Sequence, residues 1–227
     1  MTAPAPARHL RDLVWLYLLA DTGLVERERL PAVVAAAVDG GATLVQLRAK
    51  GRTTLEQIEL GRRLLDACHA RDVPLVINDR VDVALAVGAH GVHVGHQGEE
   101  DMHPRDARRI LGRDAIVGVS VGSAQEAVLA AAAGASYVSA GPMFATTTKG
   151  NAGPAAGEAL LHAVRAATDL PLVVIGGITA AHAPALRAAG ADGVCVGAAI
   201  LRSADPAAAA RAFVTVDSRG GGAGHGN

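Results

Sequence analysis

Polar residues follow directly after the apolar run of the stretch "LVINDR", residues 75–80. Asn78, Asp79 and Arg80 carry an amide, a carboxylate and a guanidinium, and a buried strand does not end on such groups unless they leave the core. A carboxylate is a hard oxygen ligand that suits Mg²⁺, and an amide can orient a polar ring by hydrogen bonds. We therefore expect Asn78 and Asp79 to belong to a site, while Arg80 fits a site and an ordinary ion pair equally well.

A second polar cluster closes the run "TLVQLRAK". Gln46, Arg48 and Lys50 are spaced by two, so an extended chain presents all three side chains on the same side. Arginine offers paired N–H donors to a phosphate, and lysine offers a compact positive charge. The chain has 21 Lys plus Arg, of which only Lys50 and Lys149 are lysine, and both fall in such clusters. The pattern predicts a bound anion, although Arg48 alone also fits an ion pair.

Further candidates follow the later apolar runs. They are an acidic stretch (Glu99, Glu100, Asp101), a serine (Ser120), a loop with threonines and a lysine (Thr146, Thr148, Lys149) and glycine-rich ends (Gly176, Gly177, Gly197, Ala198). Two carboxylates, Asp79 and Asp101, together with a diphosphate suit Mg²⁺. Glycines at a helix start let backbone N–H groups approach a phosphate. We therefore predict a diphosphate at Arg48, Lys50 and a metal, and a monophosphate at the glycines.

Eight short apolar runs alternate with segments of helical length and spacing. Continuous apolar runs between helices are typical of parallel strands buried on both faces. The runs are "VWLYLLA", "TLVQLR", "PLVIN", "GVHVG", "AIVGVS", "SYVSAG", "PLVVIGG" and "GVCVG". Thr53 or Thr54 is an expected helix N-cap, and Ser123 is another, with Glu126 completing a capping box.

A repeated Gly-Ala pair indicates how the strands are arranged. It occurs at Gly41, Gly88, Gly134 and Gly190, at intervals of about 50 residues, and each time it precedes an even-numbered run. Each interval corresponds to two β-α units, so the pattern predicts a single (β/α)8 TIM barrel. The main alternative is an open doubly wound sheet, which more often carries a G-x-G-x-x-G turn that is missing after the first run.

Composition excludes several classes of function. Half of the residues are hydrophobic, only 2% are aromatic, and the net charge of −1 includes no basic block for nucleic acid or an anionic membrane. The apolar runs are too short for a membrane span, and the first lacks the cleavage pattern of a signal peptide. Cys68 and Cys195 have no metal-ligand spacing, so we expect reduced, buried thiols in a cytoplasmic protein. Residues 11–215 are expected to form one catalytic domain between disordered ends at 1–10 and 216–227.

Five strings follow one another along nearly the whole chain: "VQLRAK", "INDRVDVALAVGAHGVHVG", "GVSV", "GPMFATTTK" and "VVIGGIT…AAGADGV". Together they resemble, in content and in order, the thiamine phosphate synthase (thiamine-phosphate pyrophosphorylase) family, from about residue 14 to 202. Each string is moderately specific, and the ordered set is strongly so.

The resemblance implies an alkyl transferase that joins hydroxymethylpyrimidine diphosphate to hydroxyethylthiazole phosphate. Diphosphate would leave first, with Mg²⁺ assistance, and the thiazole nitrogen would then capture the methylene carbon to give thiamine phosphate. The implied roles are a diphosphate clamp (Arg48, Lys50, Lys149), metal ligands (Asp79, Asp101), groups that orient the pyrimidine (Gln46, Asn78, Ser120) and groups that hold the thiazole phosphate (Thr146, Thr148, Gly177, Gly197, Ala198). A homo-oligomer is compatible with the sequence, and no nucleic acid or membrane partner is implied.

The sequence departs from the family pattern in three places. The stretch "GHQGEED" inserts about three residues, which leaves Asp101 as the aligned metal ligand and Glu99 and Glu100 as substitutes. Gly122 stands where family members often have histidine, and Ala198 stands where they often have serine. Ala198 therefore offers only a backbone donor to a phosphate.

Three alternatives remain open from the sequence. A thiazole tautomerase shares the fold but generally lacks the full diphosphate set and uses a histidine near the fifth strand. A Schiff-base aldolase would use a lysine near the sixth strand, such as Lys149. A non-catalytic binder of thiamine precursors would result if the altered loop no longer held a metal. The histidines at 93, 96 and 103 lack zinc-ligand spacing, and we interpret them as structural or incidental.

Overall fold

The fold is a closed barrel, seen in a computed structural model that describes residues 9–95, 102–145 and 155–215. Within these ranges, eight parallel strands pair in chain order, and the last pairs with the first. They are β1 (Leu16–Asp21), β2 (Leu44–Arg48), β3 (Leu75–Asn78), β4 (Gly91–Val94), β5 (Ile116–Val121), β6 (Tyr137–Ala140), β7 (Leu172–Ile175) and β8 (Gly193–Val196). Each strand overlaps one predicted run, so the TIM barrel is confirmed and the open sheet was the wrong alternative.

Helices lie before, between and after the strands. In the described part of the chain they are α1 (Leu10–Leu13), α2 (Leu30–Asp39), α3 (Thr54–His69), α4 (Val81–Val87), α5 (Pro104–Leu111), α6 (Ala124–Ala132), α7 (Gly157–Ala167), α8 (Ala183–Ala188), α9 (Ala198–Leu201) and α10 (Pro206–Thr215). None of the helices among these residues is long and apolar enough to cross a membrane.

The repeated Gly-Ala pairs are the entry turns of the even-numbered strands, as predicted. Gly41, Gly88, Gly134 and Gly190 have φ angles of 110°, 76°, 86° and 110°. After each glycine, the alanine N–H donates to a carbonyl of the preceding helix at 3.0–3.1 Å. Glycine ends a helix in this conformation without the steric cost that a Cβ would bring. Four equivalent turns thus place four strands in the barrel.

Side-chain alternation along the strands produces two separate apolar layers. In β1, Leu16 and Leu18 pack outward against the helices, whereas Tyr17 and Leu19 point into the barrel interior. The outer layer is built almost entirely from alanine, valine, leucine and isoleucine, as the low aromatic content requires. Burying each larger aliphatic side chain contributes about 1.5–3 kcal/mol to folding. The inner layer contains both tyrosines of the chain, Tyr17 and Tyr137.

Two predicted N-caps are present, one of them with different partners. Thr53 caps α3 and forms a complete capping box with Glu56. Ser123 caps α6 by accepting from the Glu126 N–H at 3.2 Å, but the Glu126 carboxylate accepts from the Gly122 N–H at 2.7 Å. The predicted reciprocal box at Ser123 was therefore wrong in its second half, because the carboxylate reaches one residue further back.

Candidate active site

The carboxyl ends of β1 and β2 carry a nearly buried ion pair. Arg48 Nη1 donates to Asp21 Oδ2 at 2.5 Å, and the two side chains are 18% and 5% exposed. Asp21 Oδ1 also accepts from the Gly23 N–H at 2.8 Å, which fixes the carboxylate from a second direction. Asp21 lies opposite Arg48 in the strand register. An arginine has five N–H donors, so this pair orients the guanidinium and leaves it donors for an anion at the barrel mouth.

Lys50 and Asp79 meet above the ends of β2 and β3. Lys50 Nζ lies 3.5 Å from Asp79 Oδ2, and the lysine side chain is 52% exposed. Asn78 Nδ2 donates to the same carboxylate oxygen, so the three predicted residues form one cluster. Asp79 has a φ of 63°, and its N–H donates to the His93 carbonyl oxygen at 2.8 Å. A non-glycine residue in this region is uncommon, and such residues concentrate at functional sites.

Arg80 belongs to a separate, exposed ion pair. Its Nε and Nη2 donate to the two carboxylate oxygens of Asp82 at 2.8 and 2.5 Å, and Nη2 also donates to Thr54 Oγ1 at 2.9 Å. The hydrogen bonds from Arg80 lower the pKa of the Asp82 carboxyl. Of the two interpretations that the sequence left open for Arg80, the structure favours the ordinary ion pair.

A chain of hydrogen bonds crosses the barrel interior below this cluster. Gln46 Nε2 donates to Tyr17 Oη, which lies 2.8 Å from Tyr137 Oη. Tyr137 Oη lies 2.9 Å from His93 Nδ1, and His93 Nε2 lies 2.9 Å from Ser120 Oγ. Burial raises the pKa of both tyrosines, so both remain neutral phenols. The chain therefore joins two of the predicted pyrimidine-orienting residues, Gln46 and Ser120.

The predicted phosphate glycines lie in the turns after β7 and β8. Gly176 and Gly177 have φ angles of 104° and 64°, and a Cβ on Gly177 would lie 2.6 Å from the Ala145 carbonyl oxygen. Close approach of the segment after β6 therefore requires glycine there independently of any ligand. Gly197 is the N-cap of α9, which begins at Ala198 as predicted.

Six predicted site residues lie outside the described residues. They are Glu99, Glu100 and Asp101 after β4, and Thr146, Thr148 and Lys149 after β6. Their roles stay predictions.

The donor set at the mouth fits a divalent cation that is shared with a substrate. Among the described residues, no group of three His, Cys, Asp or Glu side chains could hold a metal ion. Mg²⁺ usually keeps several waters and binds one or two carboxylates plus substrate phosphates, so a complete protein cage is not required. The Asp79 carboxylate, which Lys50 and Asn78 hold at the ends of the strands, suits one such position.

Sequence reasoning missed four residues of this region. The sequence suggested no role in the site for Asp21, Tyr17 or Tyr137. His93 was interpreted as structural or incidental, yet its side chain is 7% exposed and bonds two polar groups inside the barrel. Alternation within the run "GVHVG" was a usable signal, because it places a residue between two outward valines on the interior face.

Comparison with known proteins agrees with these features. The family model for thiamine monophosphate synthase matches residues 16–200. A thiamine-phosphate synthase of Roseiflexus castenholzii is 44% identical over 95% of this chain and 92% of its own length. A thiamine-phosphate synthase of Chloroflexus aurantiacus is 45% identical over 86% and 89%. The solved structure of a thiamine phosphate pyrophosphorylase from Pyrococcus furiosus superposes with a TM-score of 0.81 at 34% identity, covering 94% of this chain and all of that one.

Proposed function

The chain belongs to the thiamine monophosphate synthase family, and from this we infer that it is a transferase that makes thiamine phosphate. Its substrates are hydroxymethylpyrimidine diphosphate and hydroxyethylthiazole phosphate, and its products are thiamine phosphate and diphosphate. The observation that carries this assignment is the identity of 44% over 95% of the chain with a thiamine-phosphate synthase. The relatives compared above do not favour a thiazole tautomerase, an aldolase or a non-catalytic binder.

The reaction exchanges one bond to the pyrimidine methylene carbon for another. The carbon–oxygen bond to diphosphate breaks, and its electron pair leaves with the diphosphate. The resulting cation is delocalised over the ring and its amino group, so no enzyme nucleophile is needed. The lone pair of the thiazole nitrogen then forms the carbon–nitrogen bond. The protein must therefore hold the two substrates together and stabilise the charge on the leaving group.

We propose that the leaving diphosphate binds at the barrel mouth, to a mouth cluster formed by Arg48, Lys50, Asn78 and Asp79. Arg48 is fixed by buried Asp21, so its remaining N–H donors are set in place before the substrate arrives. Lys50 is half exposed and adds a point charge next to Asp79. Lys149 lies outside the described residues, and we assign it to the same clamp from the family resemblance. Preorganised cations of this kind stabilise charge on a transferring phosphate.

Mg²⁺ is the proposed cofactor, with Asp79 and Asp101 as the ligands. When bound, the ion supplies positive charge to the diphosphate oxygens. Asp79 supports this proposal by its place in the mouth cluster and by its left-handed backbone, which the strand end holds through the bond to the His93 carbonyl. Asp101 is proposed from the family resemblance alone.

We propose that the pyrimidine lies between the mouth cluster and the barrel interior. Asn78, Gln46 and Ser120 lie at the carboxyl halves of β3, β2 and β5 and offer amide and hydroxyl groups to the ring. The thiazole phosphate would be held by backbone N–H groups at Gly177, Gly197 and Ala198, with the side chains of Thr146 and Thr148.

The protein is proposed to act in the cytoplasm. Cys68 and Cys195 are free and buried, and burial raises the pKa of the Cys68 thiol to about 12. Unpaired thiols are usual in a reducing compartment.

Complementation tests the function in cells. A bacterial strain that lacks its own thiamine-phosphate synthase is supplied with both precursors but no thiamine, and growth is measured with this gene on a plasmid. We expect rescue by the wild-type chain and by Arg80→Ala, which removes an exposed ion pair and a hydrogen bond to Thr54, and no rescue by Lys50→Ala. Failure of the wild-type chain to rescue, with folded protein present in the cells, would contradict the assignment.

A further inference from the structure

The interior hydrogen-bond chain has a definite proton count. A phenol has one proton to donate, and a neutral imidazole has one donor and one acceptor nitrogen. Because Gln46 Nε2 donates to Tyr17 Oη, the Tyr17 proton points to Tyr137 Oη, and the Tyr137 proton points to His93 Nδ1. His93 then carries its own proton on Nε2, which donates to Ser120 Oγ.

The two ends of the chain keep polar groups for a ligand. Gln46 keeps its amide oxygen and a second N–H, and Ser120 keeps its hydroxyl proton and a lone pair. What the chain fixes is the orientation of these groups, because each end is bonded to a buried ring.

The surroundings hold this chain in place and keep both of its phenols neutral. Tyr17 and Tyr137 are fully buried, and burial is the first cause that raises the pKa of each phenol. His93 stacks on Tyr137 with ring centroids 5.6 Å apart, and Tyr17 meets Tyr137 edge to face at 5.8 Å. The rings are thus held by packing as well as by their polar atoms. In so buried an interior, hydrogen bonds in series polarise one another.

Gly118 provides the space that the chain occupies. It lies on β5 two residues before Ser120, on the same inward face. A Cβ at this position would lie 2.1 Å from Tyr137 Cζ and 2.5 Å from His93 Nδ1. Any side chain there would push the phenol and the imidazole apart, because both are enclosed by the inner layer.

We propose that Tyr17, Tyr137 and His93 are positioning residues that hold the Gln46 amide and the Ser120 hydroxyl in the orientation that bonds the edge of an aminopyrimidine, which carries one N–H donor and one ring-nitrogen acceptor. This inference rests on the proposed function. As diphosphate leaves, the amino group shares the positive charge and its N–H becomes a stronger donor. An acceptor that is held in place at this amino group then stabilises the transition state more than the bound substrate, so the effect falls on kcat.

A double-mutant cycle tests whether Tyr137 acts through Ser120. Steady-state kcat is measured for the wild type, Tyr137→Phe, Ser120→Ala and the double variant, at saturating thiazole phosphate. Tyr137→Phe leaves buried partners without a bond, and we expect it to lower kcat about 10-fold or more. In the Ser120→Ala background the same change should lower kcat by only about 3-fold or less, because its target is gone.

The matched control is Val138→Ala, which truncates the neighbouring residue of β6 on the outward face. Its effect on kcat should be the same with and without Ser120. The proposal is overturned if the loss caused by Tyr137→Phe is likewise undiminished in the Ser120→Ala background. An inactive wild type would instead refute the proposed function, so the two failures are distinguishable.

Histidine ¹⁵N spectra test the chain without any substrate. The chain has nine histidines, and the signal of His93 is assigned as the one absent from His93→Gln. We expect a single neutral tautomer in the wild type, and a mixture or a change of tautomer in Tyr137→Phe and in Gly118→Ala. An unchanged His93 signal in Tyr137→Phe would overturn the proposal.

Discussion

Asp21→Asn isolates the part that a buried counter-ion plays in holding the diphosphate clamp. The substitution removes the charge that pairs with Arg48 at 2.5 Å but keeps a carbonyl oxygen for the Gly23 N–H. Breaking a buried ion pair costs about 3–5 kcal/mol, because it leaves one charge uncompensated. Arg48 is 18% exposed and keeps some water, so we expect a loss of about 2–4 kcal/mol in the free energy of unfolding.

The activity should fall as well, because without its carboxylate partner the Arg48 guanidinium is no longer held in one orientation. A misplacement of about 1 Å in a positioning group costs about 100-fold in rate, so we expect kcat/KM for the diphosphate substrate to fall by about that factor. Asp39→Asn is the matched control. It breaks an Arg71–Asp39 contact of 2.6 Å between side chains that are 54% and 48% exposed, and such pairs contribute less than about 1 kcal/mol.

Urea unfolding gives the stability change, and steady-state kinetics at a temperature where every variant is folded give kcat/KM. If Asp21→Asn lost no more stability than Asp39→Asn and kept its kcat/KM, the proposed role of the pair would be refuted. A loss of stability with unchanged kcat/KM would show that Asp21 supports the barrel without orienting Arg48 for catalysis.

Three further outcomes are expected. Gly51→Ala, at positive φ but with open space around it, should lose about 1–2 kcal/mol of stability in urea unfolding. Gly177→Ala should lose about 1–3 kcal/mol more than this, since its new Cβ would also lie 2.6 Å from the Ala145 carbonyl oxygen. Equal losses would argue against the close contact. Burial raises the pKa of the Cys68 thiol to about 12 and also raises that of the Cys195 thiol. We therefore expect neither thiol to react with a thiol reagent at pH 8 until denaturant is added. Rapid reaction of the native protein would contradict their burial. Chelation with EDTA should abolish turnover and excess Mg²⁺ should restore it, so full activity in EDTA would remove the metal from the proposal.

The fold followed from local patterns in the sequence. Apolar runs and Gly-Ala turns such as those at Gly41 and Gly88 are set by neighbouring residues, so each could be recognised without knowing the rest of the chain. Spacing by two also indicated that Gln46 and Arg48 share one side of β2, and the structure places Gln46 inward. Polar strand ends pointed to Asn78, Asp79 and Lys50, which lie together.

The remaining features depend on contacts between distant strands. Tyr17 and Tyr137 are hydrogen-bonded partners 120 positions apart, and only closure of the barrel brings them together. Asp21 pairs with Arg48 because the two residues are opposite each other in the register between β1 and β2, and no local pattern in the sequence predicts that register. The direction of the Glu126 carboxylate, which bonds the Gly122 N–H, depends on a rotamer rather than on spacing.

Direct assay of the purified protein tests the central claim most simply. The wild-type chain is mixed with hydroxymethylpyrimidine diphosphate, hydroxyethylthiazole phosphate and Mg²⁺, and thiamine phosphate and diphosphate are quantified over time. We expect the two products in equal amounts, formed only when both substrates are present, and a loss of activity in Lys50→Ala and Asp79→Ala but not in Arg80→Ala. A folded protein that forms no thiamine phosphate under these conditions would contradict the account.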